Sequence, residues 1–258
     1  MRKIFLLLLV IPFVFVMMGS DCDDPIDPID SPNAATLVGD ASNNLDLVIA
    51  WSPSSTSEID GYRVYFDGAT DPLWEGTANT FTHTNPTLGS YSIVTYKDSD
   101  ESDPLSFNTE DYVYEASGAM IYRLDVPGQS SGYGWNLSNG TGASKSFDST
   151  IADEIDIWYD NDETINSSSA YGGDFENVTG IYTSPLTYEN IDNAPFKDDV
   201  IYGVTQDIGS SYSYCLYIKK QMSYGYYGKM EITDWDTGTH KITFRWTIQT
   251  IAKWRVLG

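Results

Sequence analysis

The chain has 258 residues, with 14 Lys and Arg against 37 Asp and Glu, so its formal net charge at pH 7 is −23. A protein with this charge repels phosphate backbones, which excludes nucleic acid as a partner. A chain of this length buries cores of its own, and its two cysteines, Cys22 and Cys215, do not form a disulfide framework.

The first predicted element is a signal peptide over residues 1–21. Two basic residues open it, an unbroken apolar run extends from Ile4 to Met18, and the small residues Gly19 and Ser20 follow. This order is typical of secretory leaders. The apolar run is shorter than the about 20 residues of a membrane-spanning helix, and Pro12 interrupts it. We therefore expect the mature protein to leave the cytoplasm without a transmembrane anchor.

Cys22 begins an acidic, proline-rich segment over residues 22–32. Proline and repelling carboxylates keep such a segment extended. A cysteine after an apolar run and small residues resembles the processing site of bacterial lipoproteins, although Asp21 stands where that family has a small residue. The resemblance implies that Cys22 carries lipid, that membrane lipid is a partner, and that residues 22–32 form a tether at the outer membrane or cell surface. The alternative is cleavage near Ser20 and a soluble secreted product.

Residues 33–106 are predicted to form a first β-module. Short runs of alternating apolar and polar residues are separated by turn signals such as Ser52–Ser55 and Asp67–Gly68. Strands of this length and spacing favour a β-sandwich. The residues expected to point into its core are Leu45, Leu47, Ile49, Trp51, Tyr62, Val64 and Phe66.

This module resembles a fibronectin type III domain. The matching features are Trp51 in the second strand, the segment Gly61–Tyr65 in the third, and Leu88–Tyr91, which is similar to the tyrosine corner of that family. The resemblance covers under a third of the chain and implies a β-sandwich that acts as a spacer or a generic binding scaffold. The sequence does not contain the adhesive Arg-Gly-Asp tripeptide known from that family.

Residues 107–258 are predicted to form a second, antiparallel β-rich domain, joined to the first near Asp98–Pro104. About 150 residues is an ordinary size for one domain. We expect two strands between Tyr112 and Val126, around Ser117 and Gly118, and long loops over residues 128–149. The predicted fold class is therefore all-β, a fibronectin type III-like sandwich followed by this second domain.

Three strands with alternating residues are predicted near the C-terminus. The last run places apolar residues on one face and polar residues, including Thr247 and Gln249, on a wet face. Its apolar residues are Ile242, Phe244, Trp246 and Ile248. Two similar runs precede it, so the three form a predicted antiparallel meander. Cys215 lies in the first of these runs without a neighbouring His or Cys, which favours a buried structural thiol.

The second domain also resembles the haem-capturing lipoproteins of the HmuY type. The resemblance lies in the segments Ala152–Tyr159, Tyr214–Lys220, Gly225–Thr233 and Ile242–Gln249. That family holds haem through paired axial residues, typically His. The two histidines of this chain, His83 and His240, do not map onto those ligands. We therefore expect no cofactor.

The sequence motifs do not indicate a catalytic centre. The sequence has no Gly-x-Ser-x-Gly turn and no His and Cys set for zinc. Acidic runs at Asp98–Asp103, Asp160–Glu163 and Asp234–Gly238 supply oxygen ligands of the kind that calcium prefers, and solvated loop surface is the alternative interpretation. A pair of carboxylates acting on a glycosidic bond stays open, because such a pair is defined by distance in space.

The surplus of aromatic residues is the strongest sign of a binding surface. The chain has 19 Tyr and 7 Trp, and these side chains offer flat amphipathic area for sugars or protein partners. The alternative is that they fill β-cores. The candidate ligand contacts, expected to be partly exposed, are Tyr224, Tyr226, Tyr227 and Trp235.

These observations predict an exported, lipid-anchored, non-catalytic protein of the cell envelope that binds or adheres to a glycan or a cell-surface protein through its second domain. The alternatives are a glycan-processing hydrolase that uses two carboxylates and a structural surface spacer.

Overall fold

The computed structural model describes residues 28–147, 153–168, 178–210, 212–220 and 224–258. These residues form antiparallel β-sheets joined by loops and by short 3₁₀ turns such as Thr109–Tyr112 and Tyr188–Asn190. The predicted all-β fold class is confirmed. In the part of the chain that the structure describes, no helix is long and apolar enough to cross a membrane.

The first module is built from eight strands in two sheets. They are β1 (Asn33–Gly39), β2 (Leu47–Ser52), β3 (Gly61–Phe66), β4 (Trp74–Gly76), β5 (Thr80–His83), β6 (Ser90–Lys97), β7 (Asp100–Glu101) and β8 (Leu105–Asn108). One sheet has the order β1-β2-β5, and the other has the order β4-β3-β6-β7, with β8 also paired to β6.

Five of the seven residues predicted for the core of this module are buried, and the other two, Leu45 and Phe66, are partly buried and pack against them. Leu47, Ile49 and Val64 are fully buried between the two sheets, and Trp51 meets Tyr62 edge to face with ring centroids 5.4 Å apart. The alternation of apolar and polar residues predicts burial correctly here, because each strand has one face on the core and one face towards solvent.

The second module contains two five-stranded sheets that enclose the largest hydrophobic core. Its strands are β9 (Val113–Tyr122), β10 (Gly132–Asn136), β11 (Thr141–Lys145), β12 (Ile157–Tyr159), β13 (Thr164–Ser167), β14 (Val178–Thr183), β15 (Thr205–Asp207), β16 (Ser213–Lys219), β17 (Gly225–Asp236) and β18 (Lys241–Gln249). The sheet orders are β14-β16-β17-β18-β9 and β11-β10-β12-β13-β15.

The predicted meander corresponds to β16, β17 and β18, which are neighbours in one sheet. Its inward apolar residues are buried as expected, but its outer face is not wholly wet. Thr247 and Gln249 are buried because other segments cover them. The Tyr188 hydroxyl lies 2.6 Å from Thr247 Oγ1, and Gln249 Nε2 donates to the carbonyl of Val256.

Two local expectations in the second module were wrong. Residues 113–122 form the single strand β9, and Gly118, at φ 75°, accompanies a register shift against β18. This β-bulge explains the turn-like signal inside a continuous strand. Residues 128–149, which were expected to be long loops, contain the hairpin β10–β11. Glycines in these strands interrupt the alternation of apolar and polar residues by which a strand is predicted. Gly134 passes so close to the carbonyl of Glu154 that a Cβ would lie 1.7 Å from it.

The last residues of the chain return to the first module. Ile251, Trp254 and Val256 belong to the same buried cluster as the core of β2 and β3. The Gly39 N–H donates to the carbonyl of Ala252 at 2.7 Å, beside an isolated bridge between Val38 and Ala252. The two modules therefore share a core across the boundary expected near residue 106.

Candidate functional site

A cavity of about 240 Å³, here called the seam pocket, opens where the two modules meet. The loop after β1, the end of β16, the start of β17 and the C-terminal segment all contribute to it. Its lining residues are Ala41, Asn44, Phe196, Lys197, Asp198, Tyr217, Lys219, Tyr224, Gly225 and Lys253. Ligand pockets occur preferentially at such junctions between modules.

Two glycines allow close packing around the seam pocket, one against a backbone and one against an aromatic ring. A Cβ on Gly39 would lie 2.4 Å from the carbonyl oxygen of Lys253, and a Cβ on Gly225 would lie 2.2 Å from the ring of Tyr217. The Lys253 N–H donates to the carbonyl of Gly225 at 2.8 Å. The backbone of Lys253 is therefore hydrogen-bonded to the second module and lies in close contact with Gly39 of the first.

Lys253 and Tyr224 form the wall of the seam pocket that carries charge and aromatic surface. The Lys253 ammonium lies 4.3 Å from the centroid of the Tyr224 ring, in the geometry of a cation–π contact. Tyr224 is 58 % exposed. Lys253 has φ 62°, a left-handed conformation that is uncommon for Lys and persists only where the surroundings hold it.

Asn44 lies at the floor of the seam pocket with an unsatisfied acceptor. Its Nδ2 donates to the Tyr227 hydroxyl at 3.1 Å, while its buried Oδ1 has no hydrogen-bond partner among the residues described. Asn44 also has a left-handed backbone, at φ 55°. A buried acceptor without a donor costs about 1–3 kcal/mol of stability.

The seam pocket is positively charged in an acidic protein. Lys197 pairs with Asp198 at 2.6 Å, and this carboxylate raises the pKa of Lys197. Lys219 and Lys253 form no ion pair with any residue in the described ranges. Behind the pocket, the guanidinium of Arg255 donates to the carbonyls of Asn43 and Ala194, each at 2.8 Å.

A wider depression of about 530 Å³ adjoins the seam pocket and shares Lys197, Asp198 and Tyr217 with it. Ile201, which is 88 % exposed, and Tyr202 continue its lining. The two cavities are therefore adjacent at the edge of the second module.

The structure separates the four aromatic residues that were candidate ligand contacts. Tyr224 lies at the seam pocket, and Tyr226, next to it in β17, is half-buried. Tyr227 differs from the expected partial exposure, because it is fully buried under Asn44. Trp235 is half-buried against the core, where its Nε1 donates to the Tyr159 hydroxyl at 3.2 Å. At about 3.3 Å per residue, Trp235 lies roughly 35 Å from Tyr224 along β17, so the two do not form one surface.

A separate cavity of about 460 Å³, larger than the seam pocket, lies against the β10–β11 hairpin. Glu154 at its edge forms an ion pair with Lys145, which lowers the pKa of Glu154. The nearby Asp156 is fully buried, and burial raises its pKa although Lys220 Nζ lies 2.6 Å away. Asp156 also accepts from the Trp135 N–H and the Thr179 hydroxyl. Both carboxylates are thus bound to lysines, and the seam pocket is the better candidate site.

The remaining sequence candidates have structural partners or lie outside the described residues. His83 Nδ1 lies 2.7 Å from the Tyr91 hydroxyl, and His240 Nε2 lies 3.1 Å from a nitrogen of Arg123. Within the described ranges, no group of three or more His, Cys, Asp or Glu is placed to hold a metal ion. Asp236 instead accepts from Gly238 and Thr239 within its own turn. Cys22 lies outside the described residues.

No protein-family model matches this sequence, and a search of the curated proteins found no relative.

Sequence reasoning found only one wall of the seam pocket. Tyr224 was identified from its aromatic, glycine-rich surroundings, but Asn44, Lys219 and Lys253 were missed. The pocket is assembled from separate parts of the chain, whose approach depends on the return of the C-terminal segment to β1. No local spacing in the sequence signals that approach.

Proposed function

We propose that this chain is an exported, lipid-anchored and non-catalytic protein of the cell envelope that binds a glycan through the seam pocket. The single observation that carries the proposal is the Tyr224–Lys253 wall beside an unsatisfied Asn44 acceptor. An aromatic face packs against a sugar ring, while lysines and amides bind hydroxyl and acidic groups. These are the functional groups that a sugar presents.

The position of the seam pocket supports a receptor more than a spacer. A spacer needs only a stable join between modules. Here two residues at the join have left-handed backbones, and one buried acceptor is unsatisfied, which are features that lower stability. At about 240 Å³ the cavity is smaller than the roughly 300–1,000 Å³ of pockets for drug-sized ligands, so it suits one terminal unit of a larger ligand.

The first module supports the proposal as a scaffold. Its sheets, β1-β2-β5 and β4-β3-β6-β7 with β8 paired to β6, form a β-sandwich, which supports a role as a scaffold. The end of the proposed tether packs on this module, since Ser54 Oγ donates to the carbonyl of Asp30 at 2.6 Å. In the proposal, the first module holds the seam pocket away from the membrane to which Cys22 is attached.

The test of glycan binding uses the chain from residue 23 onward and a glycan array, followed by calorimetric titration of each hit. We expect at least one glycan to bind and Tyr224→Ala to weaken it at least tenfold. Leu186→Ala is the matched control, because Leu186 is similarly exposed, at 52 %, and does not line the pocket. Absence of any glycan hit, or equal binding by Tyr224→Ala and the wild-type chain, would refute the proposal.

The anchor is tested separately in a Gram-negative host. We expect the full chain to fractionate with membranes and to incorporate labelled fatty acid, and Cys22→Ser to do neither. Export of unlabelled wild-type protein into the soluble fraction would instead support the secreted alternative.

A further inference from the structure

The positive charge around the seam pocket points to the class of sugar that it binds. Most lysines and arginines of the described chain are engaged in ion pairs. The paired residues are Arg63, Lys97, Arg123, Lys145, Lys197, Lys220 and Arg245. Of the five other cations in the described ranges, Lys219 and Lys253 line the seam pocket, and Arg255 lies beside Asn44.

Cations without a direct ion pair are unexpected in this protein, because 37 acidic residues are available to pair with them. Asp40 is a carboxylate that acts on Lys253, and it does so without forming an ion pair. The concentration of these cations at one pocket creates a local positive potential inside a molecule of net charge −23. We propose, on the basis of the glycan-binding function above, that the seam pocket binds a terminal acidic sugar. Lys219 and Lys253 bind its carboxylate or sulfate group, and Tyr224 packs against the ring.

The other groups of the pocket favour a sugar over a simple anion. An inorganic anion satisfies lysine donors but offers little to the aromatic ring of Tyr224 or to an acceptor such as Asn44 Oδ1. An acidic sugar brings an anionic group for the lysines, an apolar ring face for Tyr224 and hydroxyl donors towards Asn44.

The net charge of the whole chain restricts the ligand further. A protein of charge −23 repels a long polyanion, while a short-range contact with one acidic group inside a positive pocket stays favourable. The structure therefore fits a single acidic terminus on an otherwise neutral glycan.

The experiment compares lactose, 3′-sialyllactose and 3′-sulfated lactose by calorimetric titration against the chain from residue 23 onward. We expect at least one of the two acidic sugars to bind at least tenfold more tightly than lactose. Which of them binds distinguishes a carboxylate from a sulfate ligand. The double variant Lys219→Gln, Lys253→Gln should lose this preference. Lys241→Gln is the control and should retain the preference for the acidic sugar. Lys241 forms no ion pair with described residues and lies outside the pocket.

Three results would overturn the inference. The first is equal binding of neutral and acidic sugars, which leaves the broader glycan function standing if Tyr224→Ala still weakens both. The second is an equal loss in Lys241→Gln and in the double variant, which would indicate a general charge effect. The third is full competition by inorganic phosphate at the concentration of the sugar, which would indicate an unspecific anion site. If no glycan binds at all, the proposed function fails with it.

Discussion

The indole N–H of Trp254 donates to the carbonyl oxygen of Leu45 at 2.8 Å, although the two residues are 209 positions apart. Trp254 is fully buried and packs with the core residues of the first module. The C-terminal segment is thus part of the first module and also carries Lys253 to the seam pocket. Stability of the first module and geometry of the seam pocket therefore depend on the same few residues.

Trp254→Ala should destabilise the folded chain by about 3–5 kcal/mol, because it leaves a large cavity and removes a buried hydrogen bond. The free energy of unfolding is measured by urea titration. The exposed Leu186→Ala should change it by less than about 0.5 kcal/mol. A loss in Trp254→Ala no greater than in this control would contradict the shared core.

Gly39→Ala should destabilise the chain by about 1–3 kcal/mol, since the new Cβ would lie 2.4 Å from the backbone oxygen of Lys253, which cannot rotate away. It should also weaken ligand binding at the seam pocket. Gly238→Ala is the control, because its Cβ would meet only the flexible Asp236 carboxylate, at 3.3 Å. Thermal unfolding and calorimetric titration of both variants check the prediction, and it fails if both behave alike.

Asp156→Ala should cost about 3–5 kcal/mol, because it removes the buried acceptor of the Trp135 N–H and one partner of the Lys220 ammonium. Asp156→Asn, which keeps one acceptor oxygen, should cost less. Unfolding by urea at neutral pH ranks the two variants against the wild-type chain. Equal stability of all three would show that the pair contributes nothing.

The pH dependence of the Asp156 contribution follows from its raised pKa. Burial disfavours the carboxylate, so the unfolded chain loses this proton near pH 3.8 while the folded chain still holds it. The stability of the wild-type chain relative to Asp156→Asn should therefore be largest below pH 3.8 and should fall as the pH rises through the raised pKa. Urea titrations of both chains at several pH values measure this relative stability. A relative stability that increases as the pH rises above 3.8 would contradict the prediction.

Cys215 should not react with thiol reagents in the folded chain from residue 23 onward. Its side chain is fully buried, and burial raises its pKa to about 12, so the reactive thiolate is scarce at pH 8. Labelling should appear with urea at the unfolding midpoint. Tyr202→Ala, which removes a ring packed against the cluster around Cys215, should speed labelling of the folded protein. Rapid labelling of the native wild-type chain would contradict the assignment of a structural thiol.

The sequence alone determined the features that depend on local pattern. Alternation of apolar residues predicted the all-β class and the buried faces of β2 and β18. In a strand with one covered face, every second side chain points into the core. The same reasoning failed for β10 and β11, where glycines required by close backbone contacts replace the expected side chains. It also failed for Thr247 and Gln249, which are covered by segments distant in sequence.

Only the tertiary structure decided where the candidate site lies. The Tyr224 wall was visible in the sequence, but its partner Lys253 follows it by 29 positions and reaches it through a C-terminal segment that packs on β1. Asn44 joins the same pocket from the loop after β1, and Lys219 joins it from the end of β16, where it is paired with Gly225. Local patterns report the burial of each strand face, whereas a pocket between modules depends on contacts that pair distant segments, and a single sequence carries no periodic signal for those contacts.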